Sequence, residues 1–313
     1  MIIVTGGAGF IGSNIVRQLN LAGETDILVV DDLKDGHKTD NLADCDIADY
    51  LDHEDFLERI KTGKSFGKVR AVSHQGACTT TTEWDGLYMM QTNYDYSKAV
   101  LSYCVEQSIP MIYASSASVY GAGTEFAVDR KNERPINAYA YSKWQFDQYL
   151  RRKWDDIDTQ VVGLRYFNVY GPREQHKGDM ASVIFHFNRQ LAAGDEVRLF
   201  KGSGGYGDGE QRRDFIHVDD VAAVNLWLLD RPECRGLYNL GTGKARMFND
   251  VANAVVTWHG RGYIKYIPFP ERLEGSYQSF TEADMSGLRE AGYDADFLDI
   301  EEGVKRYLDV IGG

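Results

Sequence analysis

Ile2-Ile3-Val4-Thr5-Gly6-Gly7-Ala8-Gly9-Phe10-Ile11-Gly12-Ser13 is the stretch that decides how this chain folds. Three apolar residues in a row are what a strand buried on both faces shows, and the run breaks at once into glycines. Residues 13–21 then read as a helix with Ile15, Val16 and Leu19 on one face. Ile27-Leu28-Val29-Val30 reads as a second strand, ending at Asp31. Strand, glycine turn, helix, strand and terminal acid make a dinucleotide-binding unit. Gly6 permits the tight turn, Gly9 lets a pyrophosphate approach the backbone, and Gly12 lets the helix pack close to the strand. The helix N-terminus offers free N–H groups and a positive dipole end to phosphates. Such a glycine spacing is weak by itself; here it sits between a strand and a helix, with an acid following at the required distance.

The 313 residues, 43% hydrophobic and 12% aromatic, are enough for a sizeable core and for two packed units. A net charge of -13 argues against nucleic acid or an anionic membrane as partner, since both need a basic footprint. A small anionic ligand needs only a few local cations. Cys45, Cys78, Cys104 and Cys234 have neither Cys-x-x-Cys spacing nor a histidine cluster beside them. They read as reduced thiols, with no metal site and no disulfide framework. No apolar run approaches the roughly 20 residues that span a bilayer. The chain enters a strand without a basic leader, so the expectation is a soluble, cytoplasmic protein.

Residues 45–47, 69–73, 111–114 and 160–167 read as further strands, and residues 54–60 and 85–106 as helices. Strands alternating with helices as far as about residue 166 predict an α/β fold with a doubly wound parallel sheet, its strand-end loops along one edge. Past Gly171-Pro172-Arg173 the alternation loosens, as where a smaller α/β substrate-binding domain begins. There residues 181–191 and 301–311 read as helices and 197–200 as a strand. Residues 202–209 form a loop with five glycines. Asp219 is placed to cap a helix, and residues 237–240 read as a strand returning to the large sheet. The expected division is 1–168, with 215–245 returning to it, against 169–214 and 246–313.

Two sets of residues address the cofactor end and point in opposite directions. Asp31 would bond ribose hydroxyls and repel a 2′-phosphate, favouring NAD. Lys34, His37 and Lys38 crowd the same loop and would neutralise that phosphate, favouring NADP. The chemistry centres on Tyr139-Ala140-Tyr141-Ser142-Lys143. Residues four apart share a helix face, so Tyr139 and Lys143 project together while Tyr141 points away. A phenol titrates near pH ~10 and is a poor base at neutrality. A neighbouring ammonium and an oxidised nicotinamide would both stabilise phenolate. Ser116, at a strand end, would hold a substrate hydroxyl against the phenol while carbon gives up hydride.

The segments Thr5 to Gly12, Ser115-Ser116, Tyr139-x-x-x-Lys143 and Arg213 to Asp220 resemble the extended short-chain dehydrogenase/reductase family, over essentially the whole chain. More particular are His74 to Cys78, Thr82 to Gly86, Arg165 to Glu174 and His176 to Val183. These resemble the branch that epimerises an ADP-linked heptose. The resemblance implies a Rossmann-type sheet and a carbon oxidised to a ketone, then reduced on its other face by the same cofactor. Tyr139 and Lys177 would handle the proton in the two orientations, with Lys143 on the nicotinamide ribose and Ser116 on substrate. Composition alone favours a solvated or phosphate-binding Lys177; the match over His176 to Ser182 reverses that.

By the same resemblance Gly6, Gly9, Phe10, Ile11, Gly12, Asp31, Asp32, Lys38, His53, Gln75, Gly76, Ala77, Cys78, Thr79, Asn93, Lys143, Val169 and Lys177 would bind the cofactor. Ser116, Asn168, Asp179, His186, Phe200, Lys201, Gly202, Ser203, Arg213 and Tyr277 would line the substrate pocket, Arg213 clamping the diphosphate. His186 also suits a core histidine. NADP is the family's usual cofactor and a homo-oligomer, specifically a homopentamer, its assembly. Asp32 and His53 stand where the family commonly has Asn and Lys, which keeps NAD open. Thr92 replaces an Asn, and residues 204–211 form a longer loop. A UDP-hexose 4-epimerase would share Ser116, Tyr139 and Lys143 but have no use for Lys177 as second base. A 4,6-dehydratase would place Asp-Glu where this chain has Ala117-Ser118. A non-catalytic dinucleotide-binding regulator would lack the Tyr–Lys pair.

Overall fold

The computed structural model describes residues 1–270 and 278–312. Among these, seven parallel strands form the large sheet: β1 (Ile2–Thr5), β2 (Ile27–Asp31), β3 (Asp49–Asp52), β4 (Ala71–His74), β5 (Met111–Ser116), β6 (Val161–Tyr166) and, after an excursion, β10 (Gly236–Leu240). Their order, β10-β6-β5-β4-β1-β2-β3, is doubly wound, reversing direction between β1 and β4. Alternation along the strands sorts the core onto two faces. Ile2, Val4, Ile27 and Val29 pack with Ile15, Val16 and Leu19 of α1 (Phe10–Leu21) and with Ala222 of α7 (Val218–Leu229). Ile3, Leu28, Val30 and Val72 face the other way. They meet α2 (His53–Lys61), α4 (Tyr96–Glu106) and α5 (Ala138–Lys153) through Phe56, Val100 and Phe146. The sheet and its return strand are as expected from the sequence.

The remaining elements are α3 (Gly86–Met89), β7 (Asn168–Tyr170), α6 (Val183–Ala193), β8 (Glu196–Phe200), β9 (Arg212–His217), β11 (Ala245–Met247), α8 (Phe248–His259), β12 (Tyr263–Ile267), α9 (Ser286–Glu290) and α10 (Ile300–Ile311). Strands β11-β9-β7 and β12-β8 form two small sheets. A separate core joins α6, α8 and α10 through Ile184, Leu191, Val251, Val255, Val304 and Leu308.

Three sequence expectations change. Residues 45–47 form no strand: Asn20 holds Asp46 by both its N–H and its carbonyl (2.8 Å each), and the third strand begins at Asp49. The helix expected over 85–106 is interrupted by a π-helical turn, Met90–Asp95, which turns Asn93 inward. Asp219 lies in the first turn of α7 instead of capping it; the ring of His217 accepts the Asp219 N–H (3.1 Å) as cap. Among the described residues no helix is long and apolar enough to cross a membrane, and no cluster of metal-ligating side chains occurs.

Beneath α5 lies a buried charge network. Arg165, fully buried on β6, donates to Glu133 Oε1 (2.6 Å), to Asp147 Oδ2 (3.0 and 2.9 Å) and to the Tyr120 hydroxyl (3.0 Å). Asp147 also accepts from Tyr113 and Ser115, and Glu133 from Arg151. Breaking such a pair strands charge in a low-dielectric interior. Arg165→Met should therefore lower unfolding free energy by about 3–5 kcal/mol in urea denaturation. A loss under about 1 kcal/mol would show that the network contributes little to stability.

Candidate active site

The glycine turn is shaped by contacts that admit no side chain. Gly6 has φ +66°, and a Cβ there would sit 2.6 Å from Gly76 N; at Gly12 it would sit 2.1 Å from the Gly6 carbonyl oxygen. The first helical bond of α1 runs from Ser13 N to Gly9 O (3.0 Å). The amides of Phe10, Ile11 and Gly12 lie ahead of it, where a helix leaves its donors unpaired. A cleft of about 360 Å³ opens over this turn, lined also by Asp31, Lys38, Gln75, Gly76, Ala77, Thr79, His176 and Lys177. A glycine cradle, helix-end amides and two lysines form a donor set that fits a dinucleotide. Asp31, expected at the ribose, lines this cleft and is also bonded within the turn. Its Oδ2 accepts from Ala8 N (2.7 Å) and Gly9 N (3.1 Å), its Oδ1 from Asp32 N (2.7 Å) and Lys38 Nζ (2.9 Å). The carboxylate holds the turn itself in shape.

A second cleft of about 360 Å³ adjoins the first and shares Phe10, Ile11, Gln75, Ala77, Thr79, Lys177 and Met180 with it. Ser116, Tyr139 and Lys143 line it together with Asn168 and Val169. Asn137 caps α5 by accepting from Ala140 N (2.7 Å), which sets the phase of the first turn, and Tyr139 and Lys143 follow on one face. Lys143, 5% exposed, donates to the Ala114 carbonyl at the end of β5 (2.8 Å). Burial pushes its ammonium down to about 8, against the opposing pull of Asp147 one turn below. Tyr139 departs from expectation: burial raises the phenol above its ordinary value, while the hydrogen bond with Ser116 pulls it back. The physical reason is desolvation, which disfavours the charged phenolate.

Lys177 arrives from a different element, the tight 3₁₀ turn Gln175–Met180, whose kink at Gly178 (φ +53°) only glycine adopts freely. Its ammonium lies 5.3 Å from the centre of the Phe10 ring. Burial lowers its affinity for a proton, and Glu174 raises it. Lys177 lines both clefts, so it stands where they join.

Other expected residues act at one remove. Asn93, brought inward by the π-turn, accepts from Cys78 N (2.8 Å) and donates to Cys78 O (2.9 Å) and Ser142 Oγ (3.0 Å), fastening the loop after β4 to α5. Several lie outside the lining of both clefts. His53 packs its ring toward Tyr96, and Asp32 turns to Lys34 N (2.8 Å). His186 meets the Asp179 carbonyl (3.4 Å). Phe200, Lys201, Gly202 and Ser203 follow β8, and Arg213 lies along β9, 5.8 Å from the Phe248 ring. Phe248 does line the substrate-side cleft. Tyr277 lies outside the described residues. His176 was given no role from sequence although it sits inside the motif that singled out Lys177; its place beside Lys38 in the dinucleotide half needed the fold.

A doubly wound sheet with a glycine turn after β1, Ser116 at the end of β5 and a Tyr–Lys pair on α5 defines a dinucleotide-binding α/β protein of the short-chain dehydrogenase/reductase type. The chain belongs to the NAD dependent epimerase/dehydratase family, which its residues 2–241 match. It is 61% identical over 311 residues to ADP-L-glycero-D-manno-heptose-6-epimerase of Alkalilimnicola ehrlichii, covering 99% of this chain and 97% of that one. The crystal structure of the Helicobacter pylori ADP-L-glycero-D-manno-heptose-6-epimerase superposes with a TM-score of 0.86 at 31% identity, covering 99% and 96% of the two chains. UDP-glucose 4-epimerase of Thermus thermophilus, solved with NAD, gives 0.83 at 29% identity, covering 100% and 99%.

The depressed Lys143 has a consequence for stability. Between about 8 and the ordinary lysine value of ~10.4, the unfolded chain holds a proton that the folded chain has released. Its contribution to stability therefore rises with pH across that window and is flat below it. Lys143→Met should remove that rise from urea unfolding curves recorded between pH 7.5 and 10. An unchanged slope would mean that Lys143 titrates normally.

Proposed function

We propose that this protein interconverts ADP-D-glycero-D-manno-heptose and ADP-L-glycero-D-manno-heptose by transient oxidation at C-6. The identity with the heptose epimerases supports the substrate. One observation supports the mechanism: two proton-handling side chains from different elements, Tyr139 on α5 and Lys177 on the 175–180 turn, line a single cleft with Ser116. Inverting a carbon with no acidic C–H is easiest through a ketone, and a ketone can be reduced from either face. A nicotinamide dinucleotide held by the glycine turn and Lys143 would supply the hydride acceptor for the first half and the donor for the second. Ser116 would hold the substrate hydroxyl against Tyr139, whose phenolate takes its proton. When the ketone has rotated, its oxygen would face Lys177, whose ammonium returns a proton; proton exchange with water would then restore the Tyr139 phenolate and the Lys177 ammonium. Lys143 would hold the nicotinamide ribose and, charged below about 8, favour phenolate.

For the cofactor we favour NADP. The resemblance to the heptose epimerases supports this; the pairing of Asp31 with Lys38 leaves neither charge unopposed at the ribose and favours neither cofactor by itself. We extend the reading to a cytoplasmic homopentamer acting in lipopolysaccharide inner-core biosynthesis. We also place the substrate-binding domain at 169–214 and 246–313.

The purified protein, incubated with ADP-heptose and with UDP-hexose, should epimerise the first; turnover of UDP-hexose alone would establish a 4-epimerase instead. Denaturation should release NADP. Tyr139→Phe and Lys177→Met should each lower kcat by about 10²–10⁴-fold, the range for losing a general acid or base. Normal turnover by Lys177→Met would overturn the two-group mechanism.

A further inference from the structure

His176 has a hydrogen bond that fixes which of its ring nitrogens carries the proton. Asn41, 6% exposed, points its amide nitrogen at the carbonyl of Ala8 in the glycine turn (2.9 Å). A carbonyl can only accept, so this atom is the NH₂ group and not the amide oxygen. The same nitrogen lies 3.1 Å from His176 Nδ1. Nδ1 must therefore accept, the ring is neutral, and its proton resides on Nε2. Protonating Nδ1 would set one N–H against another. Lys38 and Lys177 on either side oppose a positive charge on the ring, while Asp31 and Asp35 favour one. With burial added, the balance lies on the neutral side.

We infer that His176 is a dinucleotide-binding residue, a neutral Nε2–H donor held in the cofactor cleft by Asn41 and directed at an oxygen of the ribose–phosphate chain. This rests on the nicotinamide dinucleotide reading above. The geometry has a second consequence. Asn41 touches the glycine turn through Ala8, and His176 immediately precedes Lys177. A dinucleotide that engages His176 therefore also holds the turn bearing Lys177. The arrangement crosses between the strand-end loop after β2 and the segment before α6, so it exists only when the chain is folded around the cleft.

The test uses the full chain, freed of bound nucleotide, titrated with NAD⁺ and with NADP⁺ by isothermal calorimetry. His176→Ala should weaken binding of the preferred dinucleotide about 5- to 15-fold, the value of one net hydrogen bond to a charged or polar oxygen. His176→Gln, which keeps an N–H donor, should recover most of that loss. Asn41→Ala should resemble His176→Ala, because an unanchored ring no longer presents Nε2–H. A dissociation constant for His176→Ala within twofold of the unaltered chain overturns the inference. Failure of the unaltered chain to bind either dinucleotide overturns the cofactor reading along with it. A measurement without substitutions is ¹⁵N-detected NMR of the histidine rings. His176 should show the Nε2–H tautomer, with shifts that move when NADP⁺ or NAD⁺ is added; an Nδ1–H tautomer or shifts unmoved by saturating dinucleotide overturn the inference.

Discussion

A single guanidinium keeps the reacting edge of the sheet and the helix over it in one register. Arg165 has no exposure and reaches Asp147 on α5, Glu133 in the loop before it, and Tyr120 after β5. Asp147 is one turn beyond Lys143, and Lys143 one turn beyond Tyr139, so fixing Asp147 against β6 fixes the whole face. Ser115 adds a bond from the end of β5 to the same carboxylate (3.0 Å), next to Ser116. Burying charges costs several kcal/mol each unless their hydrogen-bonding capacity is met. Here it is met by groups from β5, β6 and α5 at once. The network is thus a device of alignment, which an apolar core of equal volume would supply less sharply.

That alignment explains why the protein has so little freedom in setting its phenol. A Tyr–Lys pair exposed to water would simply be a weak base beside a cation. Buried against the Ala114 carbonyl, Lys143 loses part of its hold on a proton, and Tyr139 in the same surroundings is raised. The two shifts have one cause, desolvation, and opposite signs, because one group is charged when protonated and the other when not. Proton affinity in the pair is therefore set by depth in the cleft, with the Ser116 hydrogen bond opposing part of the rise at Tyr139.

Much of this was legible in the chain itself. The glycine turn could be read because all its parts are local: strand, turn and helix lie within residues 2–21, and Gly6 and Gly12 answer contacts now visible at Gly76 and Gly6. Tyr139 and Lys143 were readable by helical spacing. The π-turn at Met90–Asp95 was not, because one extra residue per turn leaves the apolar pattern nearly intact while it reorients Asn93. Nor was the commitment of Asp31 to the turn amides, which depends on how closely β2 ends beside Ala8. Lys177 lies 38 positions beyond Tyr139 with no periodicity joining them, and only the resemblance to known epimerases singled it out. For Lys177 the local signal fails because it stands where one half of the chain meets the other.

That meeting is what puts Lys177 in the cleft. Arg173, four residues before it, has φ +73°, a conformation that costs a non-glycine residue roughly 1–2 kcal/mol. The strain is offset where its guanidinium grips both oxygens of Asp44 (2.6 and 2.7 Å), while Asn14 on α1 takes the neighbouring Pro172 carbonyl (2.9 Å). Glu174, fully buried, faces the other way and accepts from both the N–H and the hydroxyl of Ser182 at the start of α6 (2.6 Å each). Consecutive residues thus fasten to opposite sides of the seam, Arg173 to the dinucleotide-binding side and Glu174 to the side built from α6 and α10. The 3₁₀ turn that follows can then point in only one direction, over Phe10. A lysine on a free surface loop would sample water and stay fully protonated. Held at the seam, it lies partly desolvated at the junction of the two clefts, where a substrate oxygen and a cofactor would both have to pass.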